Sequence, residues 1–146
     1  MTLTFVNRDE IDLDDLMVDL EASGPCDIVG GGRTKERAIE RFAETLRFPD
    51  WFGRNLDALY DLLDEHAYAS SASGTDWTLL WVAGRKLIRD APRDYAGIVS
   101  VLRDVAEADP GAEGAGGRAI VVYGPDPRAL QPPDALQSPD AKETSS

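Results

Sequence analysis

Apolar and polar positions along the chain follow two different periods, which together predict a mixture of strands and helices. Trp77–Val82 is apolar on both sides of the pleat and predicts a buried strand. Further strands are predicted at 27–30 and 119–123. These three segments predict an α/β fold with a three-stranded parallel sheet packed with helices, which supply right-handed crossovers.

Helices are predicted where apolar residues recur three and four positions apart. Helices are predicted at 11–21, 56–66 and 95–106. A fourth helix is predicted to begin after its cap, Thr34, and to run to residue 46. A short strand at 3–6 and a helical turn at 85–90 complete the pattern. The composition of 67–75 predicts a flexible loop, and the proline-rich end of the chain after residue 124 predicts a disordered tail.

Two stripes run along the predicted helix 56–66. The apolar stripe consists of Leu56, Leu59, Tyr60 and Leu63, and the acidic stripe consists of Asp57, Asp61, Asp64 and Glu65. Asn55 stands where a cap is needed, and Asp57 lies in the first turn, where the helix dipole favours negative charge. The spacing leaves two interpretations open: the acids form an ordinary solvated face, or they form a surface that fits a cationic cleft.

An aromatic turn precedes this helix. Pro49 ends the helix before it, and Gly53 is predicted to adopt a positive φ in a tight turn. Trp51 and Phe52 lie between these two residues. If they remain exposed beside the carboxylates, they are typical anchors of a protein–protein interface. The alternative is that both aromatic side chains pack inward.

The charge balance narrows the classes of partner. The chain has 27 Asp and Glu against 15 Lys and Arg, which gives a formal net charge of −12. Nucleic-acid binding needs a basic face, so this balance argues against nucleic acid and also against an anionic membrane surface. It suits a basic protein partner, because a field of this sign speeds the encounter.

The chain has few residues of the types that form disulfides or bind metals. Cys26 is the single cysteine and His66 the single histidine, so no internal disulfide, metal site or cofactor is predicted. No apolar leader or membrane-spanning segment is visible, which predicts a cytoplasmic protein. One enzymatic hypothesis stays open: Asp57 and Asp61, one helical turn apart, act as acid and base or hold a divalent metal in a hydrolase.

The run FPDWFGRNLDALYD, residues 48–61, resembles the signature of the barstar family, small intracellular inhibitors of secreted bacterial ribonucleases. The likeness extends more weakly over residues 26–124. It implies a barstar-like domain at 25–124, with an N-terminal extension at 1–24 and a Pro-rich acidic tail at 125–146.

The resemblance also implies a function without catalysis. The protein is expected to be a monomer when free and to insert its acidic helix and aromatic loop into the active site of a basic ribonuclease. The residues implied as partner contacts are Trp51, Gly53, Asn55, Asp57, Tyr60, Asp61 and Asp104. Arg54 departs from the family pattern, since an acid stands there in its best-known member. The sequence therefore leaves a second partner class open, another basic toxin or a regulatory protein.

Overall fold

Four parallel strands and five helices make up the part of the chain that the computed structural model describes, residues 2–51, 53–71, 74–108 and 116–130. The strands are β1 (Thr2–Val6), β2 (Cys26–Gly30), β3 (Trp77–Val82) and β4 (Arg118–Tyr123). The helices are α1 (Leu13–Ala22), α2 (Lys35–Leu46), α3 (Leu56–Ser71), α4 (Arg85–Asp90) and α5 (Pro92–Glu107). A 3-10 turn, Pro127–Leu130, follows β4.

The strands form one sheet in the order β1-β4-β3-β2, with every pair parallel. The predicted α/β class and parallel sheet are confirmed. The predicted short strand at 3–6 is confirmed as β1, but the sheet has four strands rather than the predicted three, because β1 pairs with β4 and places Leu3 opposite Ile120. This pairing joins segments from distant parts of the chain, so local sequence patterns carry no sign of it.

Helices cover both faces of the sheet, as a buried parallel sheet requires. On one face α2, α3 and α5 bury the larger core, in which Trp81 packs between Phe42 of α2 and Tyr95 of α5. On the other face Leu16 of α1 packs over Leu80 and its neighbours in a smaller core. The acidic segment of α3 therefore belongs to a helix anchored on the larger core.

The predicted helices are confirmed in position, with differences at their ends. Thr34 caps α2 as predicted, its Oγ1 accepting a hydrogen bond from the Arg37 N–H at 3.2 Å. Helix α3 runs on to Ser71, so the prediction of a loop from residue 67 is wrong over its first five residues. Ala67 is fully buried, and the Ser71 hydroxyl donates to its carbonyl at 2.8 Å. Ala67 and Ala69 favour a helix, and burial of Ala67 and Ser71 against the core offsets the weaker helix preference of the serines.

The longer α3 places His66 inside the helix, where its ring contacts the sheet. Its Nε2 lies 2.8 Å from Oδ2 of Asp27 in β2, and the same oxygen accepts a hydrogen bond from the indole N–H of Trp77 at 2.8 Å. The hydrogen bond with His66 is the main cause that lowers the pKa of the Asp27 carboxyl, against the opposing effect of its partial burial. This cluster fastens the second half of α3 to β2 and β3.

The predicted boundaries at 24 and 124 stay predictions. The N-terminal segment contributes the edge strand β1 and the helix α1 that covers the second face. Residues 131–146 of the predicted tail lie outside the described residues. Across the ranges that the structure describes, no helix combines the length and apolar character needed to cross a membrane.

Candidate functional site

Asn55 starts helix α3 through its side chain, as predicted. Its Oδ1 accepts a hydrogen bond from the Ala58 N–H at 2.8 Å, and its Nδ2 donates to the Gly53 carbonyl at 3.3 Å. The first contact satisfies a backbone donor that the helix leaves free, and the second holds the preceding loop against the helix start. The loop and the first turn of α3 are therefore one connected unit.

The backbone of this loop differs from the prediction. Gly53 does not have the predicted positive φ; Arg54 does, at 48°. Gly53 instead leaves room for the cap, since a Cβ there would lie 3.3 Å from Nδ2 of Asn55. The prediction was wrong because glycine is the residue that tolerates a left-handed conformation best, whereas here the cap geometry assigns that conformation to its neighbour.

Trp51 projects from the same loop into solvent, with 75% of its surface exposed. Phe52, its predicted companion, lies outside the described residues. A large indole so far from the core contributes little to folding, because it removes little apolar surface from water. Its exposure is typical of an interface anchor rather than a core residue.

An open groove with a volume of about 400 Å³ lies between helices α3 and α5, beside this loop. Its lining residues are Leu56, Asp57, Tyr60 and Asp61 of α3 and Val101 and Asp104 of α5. The two helices approach closely at Gly97, where an added Cβ would lie 3.1 Å from Cδ1 of Leu56. The structure thus brings Asp57, Tyr60, Asp61 and Asp104 together, although Asp104 is more than forty residues away in sequence.

The three groove carboxylates remain available to a partner. Asp57, Asp61 and Asp104 are exposed, and within the described ranges none of them forms an ion pair or a side-chain hydrogen bond. Tyr60 is half-buried and packs against the larger core, so its ring forms part of the groove wall. Three anionic groups lining one groove together with apolar side chains can accept charge-assisted hydrogen bonds from Arg or Lys side chains.

Asp64 does not belong to this exposed set, which corrects the predicted acidic stripe. Its Oδ1 lies 2.6 Å from Nη1 of Arg118, whose side chain is only 1% exposed. The carboxylate is turned toward the beginning of β4 and neutralises a buried cation there. Arg118 was not predicted as a functional residue, and a single arginine at the start of an apolar strand was its only sign in the sequence.

Arg54 is the cation nearest to the acidic segment in sequence, but it forms an ion pair with Glu40 of α2. Its Nε lies 3.4 Å from Oε2 of Glu40 in α2, and Oε1 of the same carboxylate lies 2.9 Å from Nη1 of Arg37. This contact directs the Arg54 guanidinium toward α2. The left-handed backbone of Arg54 is compatible with that direction.

The described residues contain no group of three or more His, Cys, Asp or Glu side chains arranged to hold a metal ion. The groove acids Asp57, Asp61 and Asp104 are thus not arranged as a metal site. What they offer is a surface of one charge sign with an aromatic residue exposed beside it.

Comparison with known proteins identifies the family. A family model described as Barstar (barnase inhibitor) matches residues 28–123, which is 96 of the 146 residues. The match runs from the third residue of β2 to the end of β4, with the helices between them and the groove and its loop. It leaves out β1 and α1. No curated protein sequence matches the chain.

Proposed function

Because this chain belongs to the barstar family of barnase inhibitors, we propose that it binds the active site of a basic ribonuclease and blocks it. The partner-binding residues in this proposal are Trp51, Gly53, Asn55, Asp57, Tyr60, Asp61 and Asp104. The protein acts by occupying the site and transforms nothing in it.

The observation that carries the proposal is the unpaired state of the three groove carboxylates. A ribonuclease active site holds cations that bind the RNA phosphates, and a complementary protein must supply anions at a comparable surface. Acids that are already neutralised within their own molecule cannot do this without first breaking those contacts. Asp57, Asp61 and Asp104 are exposed and lack such contacts among the described residues.

The neighbouring aromatic and polar groups complement these charges. Trp51 offers a large apolar surface that becomes buried when a partner arrives, and the rigid indole loses little side-chain entropy on binding. Asn55 and Gly53 hold the loop in one arrangement relative to α3. A loop that is ordered before binding loses less entropy in the complex, which strengthens affinity.

Net charge supports the same partner class at longer range. A chain with a net charge of −12 attracts a basic enzyme before contact, and this attraction raises the association rate. Exposed charges are screened at distances beyond about 8 Å at physiological salt. Association with the ribonuclease is therefore expected to slow as the salt concentration rises.

The direct test is inhibition of a small basic ribonuclease of the barnase type, with wild-type protein compared with Asp61→Ala. Removing one member of a desolvated charge pair weakens binding by about 2–5 kcal/mol. We expect a loss of this size for Asp61→Ala and an unchanged melting temperature, because Asp61 has no described partner within its own molecule. The measurements are inhibition constants and thermal denaturation curves.

Asp19→Ala in α1 is the matched control, since it removes one exposed mid-helix carboxylate from the opposite face of the sheet. Net charge changes equally in both variants, so a general electrostatic effect weakens both by the same amount. Equal inhibition constants for the two variants would contradict the proposed binding surface. If wild-type protein fails to inhibit but captures a basic toxin or regulatory protein without ribonuclease activity, the partner class is wrong and the groove assignment is retained.

A further inference from the structure

We infer that Arg118 is a positioning residue of the acidic groove: from beneath, it fixes the spacing between α3 and α5 and thereby the separation of their carboxylates. The inference rests on the proposed function, because the spacing of the acids matters only if a partner must match it. Nothing in the family match assigns a role to this residue.

Arg118 contacts both helices that form the groove. Its Nη1 donates to Oδ1 of Asp64 in α3 at 2.6 Å and to the carbonyl oxygen of Val105 in α5 at 2.9 Å. Asp64 lies three positions after the groove residue Asp61, and Val105 directly follows the groove residue Asp104. Nη1 of Arg118, a residue of β4, therefore links α3 and α5 close to the carboxylates that line the groove.

A second contact between α3 and α5 lies at the other end of the groove. Leu56 packs over Gly97, where an added Cβ would come within 3.1 Å of its Cδ1. Leu56 begins α3 and itself lines the groove. Asp57, Tyr60 and Asp61 thus lie between a close helix–helix contact at Gly97 and the buried link through Arg118. Contacts at both ends of the groove therefore oppose a tilt of the α3 wall against α5.

Stability alone does not account for the buried link. The Arg118 side chain is 1% exposed and that of Asp64 36%, so the pair removes the guanidinium from water, and the cost of this removal offsets much of the attraction between the two charges. Arg118 also leaves its Nε without a hydrogen-bond partner in the described structure, and such a group opposes folding. What the link provides, and an apolar pair does not, is a hydrogen bond of fixed length and direction to each helix.

The test replaces the link by an apolar pair in the full-length protein, as Asp64→Leu with Arg118→Met. We expect the double variant to unfold at a denaturant concentration close to that of the wild type. We expect its inhibition of the ribonuclease to weaken by about tenfold, mainly through faster dissociation, since preformed geometry affects the dissociation rate most. Asp64→Asn is measured beside it, because it keeps the size of the side chain and serves if the double variant does not fold.

Leu16→Ala is the control for a purely structural effect. Leu16 is buried in the smaller core on the opposite face of the sheet, so this change lowers stability without contact to the groove. We expect its inhibition constant to equal that of the wild type. If it weakens inhibition as much as Asp64→Asn does, lost stability explains both effects and the inference is overturned.

Amide hydrogen exchange on the free protein provides a readout that needs no partner. In Asp64→Asn and in the double variant, we expect faster exchange in α3 from Leu59 to Leu63, with protection in α1 unchanged. Unchanged exchange in α3 overturns the inference even if inhibition by the wild type is strong. Faster exchange with no inhibition by the wild-type protein supports the link between the helices and refutes the ribonuclease partner instead, so the two failures are distinguishable.

Discussion

Two acidic surfaces of this molecule differ in where their counter-charges lie. On α2, Glu40 contacts Arg37 and Arg54, and Glu44 contacts Arg41. In the groove between α3 and α5, the three carboxylates have no such contacts among the described residues. Both surfaces are helical and exposed, and they lie on the same side of the sheet.

The difference shows that net charge is a poor guide to where a charged partner binds. Glu40 and Glu44 on α2 are compensated by arginines one turn away, so these two acids contribute little net field toward an approaching molecule. Among the described residues the groove acids have no ion-pair partner, so a cation supplied by a partner would relieve their mutual repulsion. Unpaired acids occur elsewhere on the surface, for example Asp19, so what marks the proposed binding surface is that its unpaired acids line one groove near an exposed tryptophan, Trp51.

Among variants outside the proposed partner contacts, the largest change in ribonuclease inhibition is expected from giving the groove an internal cation of the kind that α2 already has. Ser100→Arg places a guanidinium one turn before Asp104 on the exposed side of α5. It competes with the partner's cations and repels them, and a unit charge at about 4 Å contributes about 1 kcal/mol even in water. We expect weaker ribonuclease inhibition, with a slower association rate in stopped-flow measurements.

Ser100→Gln is the control for the size of the new side chain. It should inhibit like the wild type. If Ser100→Arg and Ser100→Gln inhibit equally well, the free charge of the groove has no role in binding.

A smaller effect, on stability, is expected at Asp27. Unlike the acids of α2 and of the groove, this carboxylate is partly buried and is hydrogen-bonded to His66 and Trp77. Its pKa is lower in the folded protein than in the unfolded chain, so its contribution to stability is present above the unfolded pKa and is lost as the pH falls through the folded one. We expect Asp27→Asn to lower stability by about 1 kcal/mol at neutral pH and to flatten the acid limb of the stability curve.

Urea denaturation of wild type and Asp27→Asn between pH 7 and pH 2 measures this effect. The difference between the two should shrink as the wild-type carboxyl becomes protonated. A difference that stays constant over this range would show that charge on Asp27 does not stabilise the fold.

The smallest change in stability and inhibition is expected from a substitution on α2. Glu40→Gln weakens two exposed contacts, to Arg37 and to Arg54, and exposed ion pairs contribute about 0.2–1 kcal/mol each at most. We expect a shift in the urea midpoint near the limit of detection. Inhibition should decline slightly, because Arg54 is released beside the loop that carries Trp51. Tighter inhibition by Glu40→Gln would reverse the assigned role of this contact.

Local signals explain which parts of the fold were predictable. Caps depend on a few neighbouring residues, and both Thr34 and Asn55 act as their sequence context indicates. Helical stripes depend on spacing alone, so the helices were found in the right places. The end of α3 was not, because Ala67 and Ser71 are held helical by burial in the core, which composition does not encode.

Contacts between residues far apart in the chain could not be predicted from sequence patterns. The pairing of β1 with β4 and the link between Asp64 and Arg118 each join segments that share no local pattern. For the same reason the acidic stripe was assigned one member too many. The family resemblance placed Asp104 among the partner contacts, and the structure brings it to the same groove as Asp57 and Asp61, while its contact with a partner stays a prediction.

The position of Arg118 in the last strand has a consequence for biosynthesis. Ribosomes release the aromatic loop and α3 first, whereas the residue that joins α3 to α5 emerges only when β4 is made. Pairings between such remote segments form slowly, since a long stretch of chain must be ordered before they contribute. A nascent chain halted before β4 would display the acids of α3 without the Arg118 link to α5, so the proposed inhibition would require synthesis through β4.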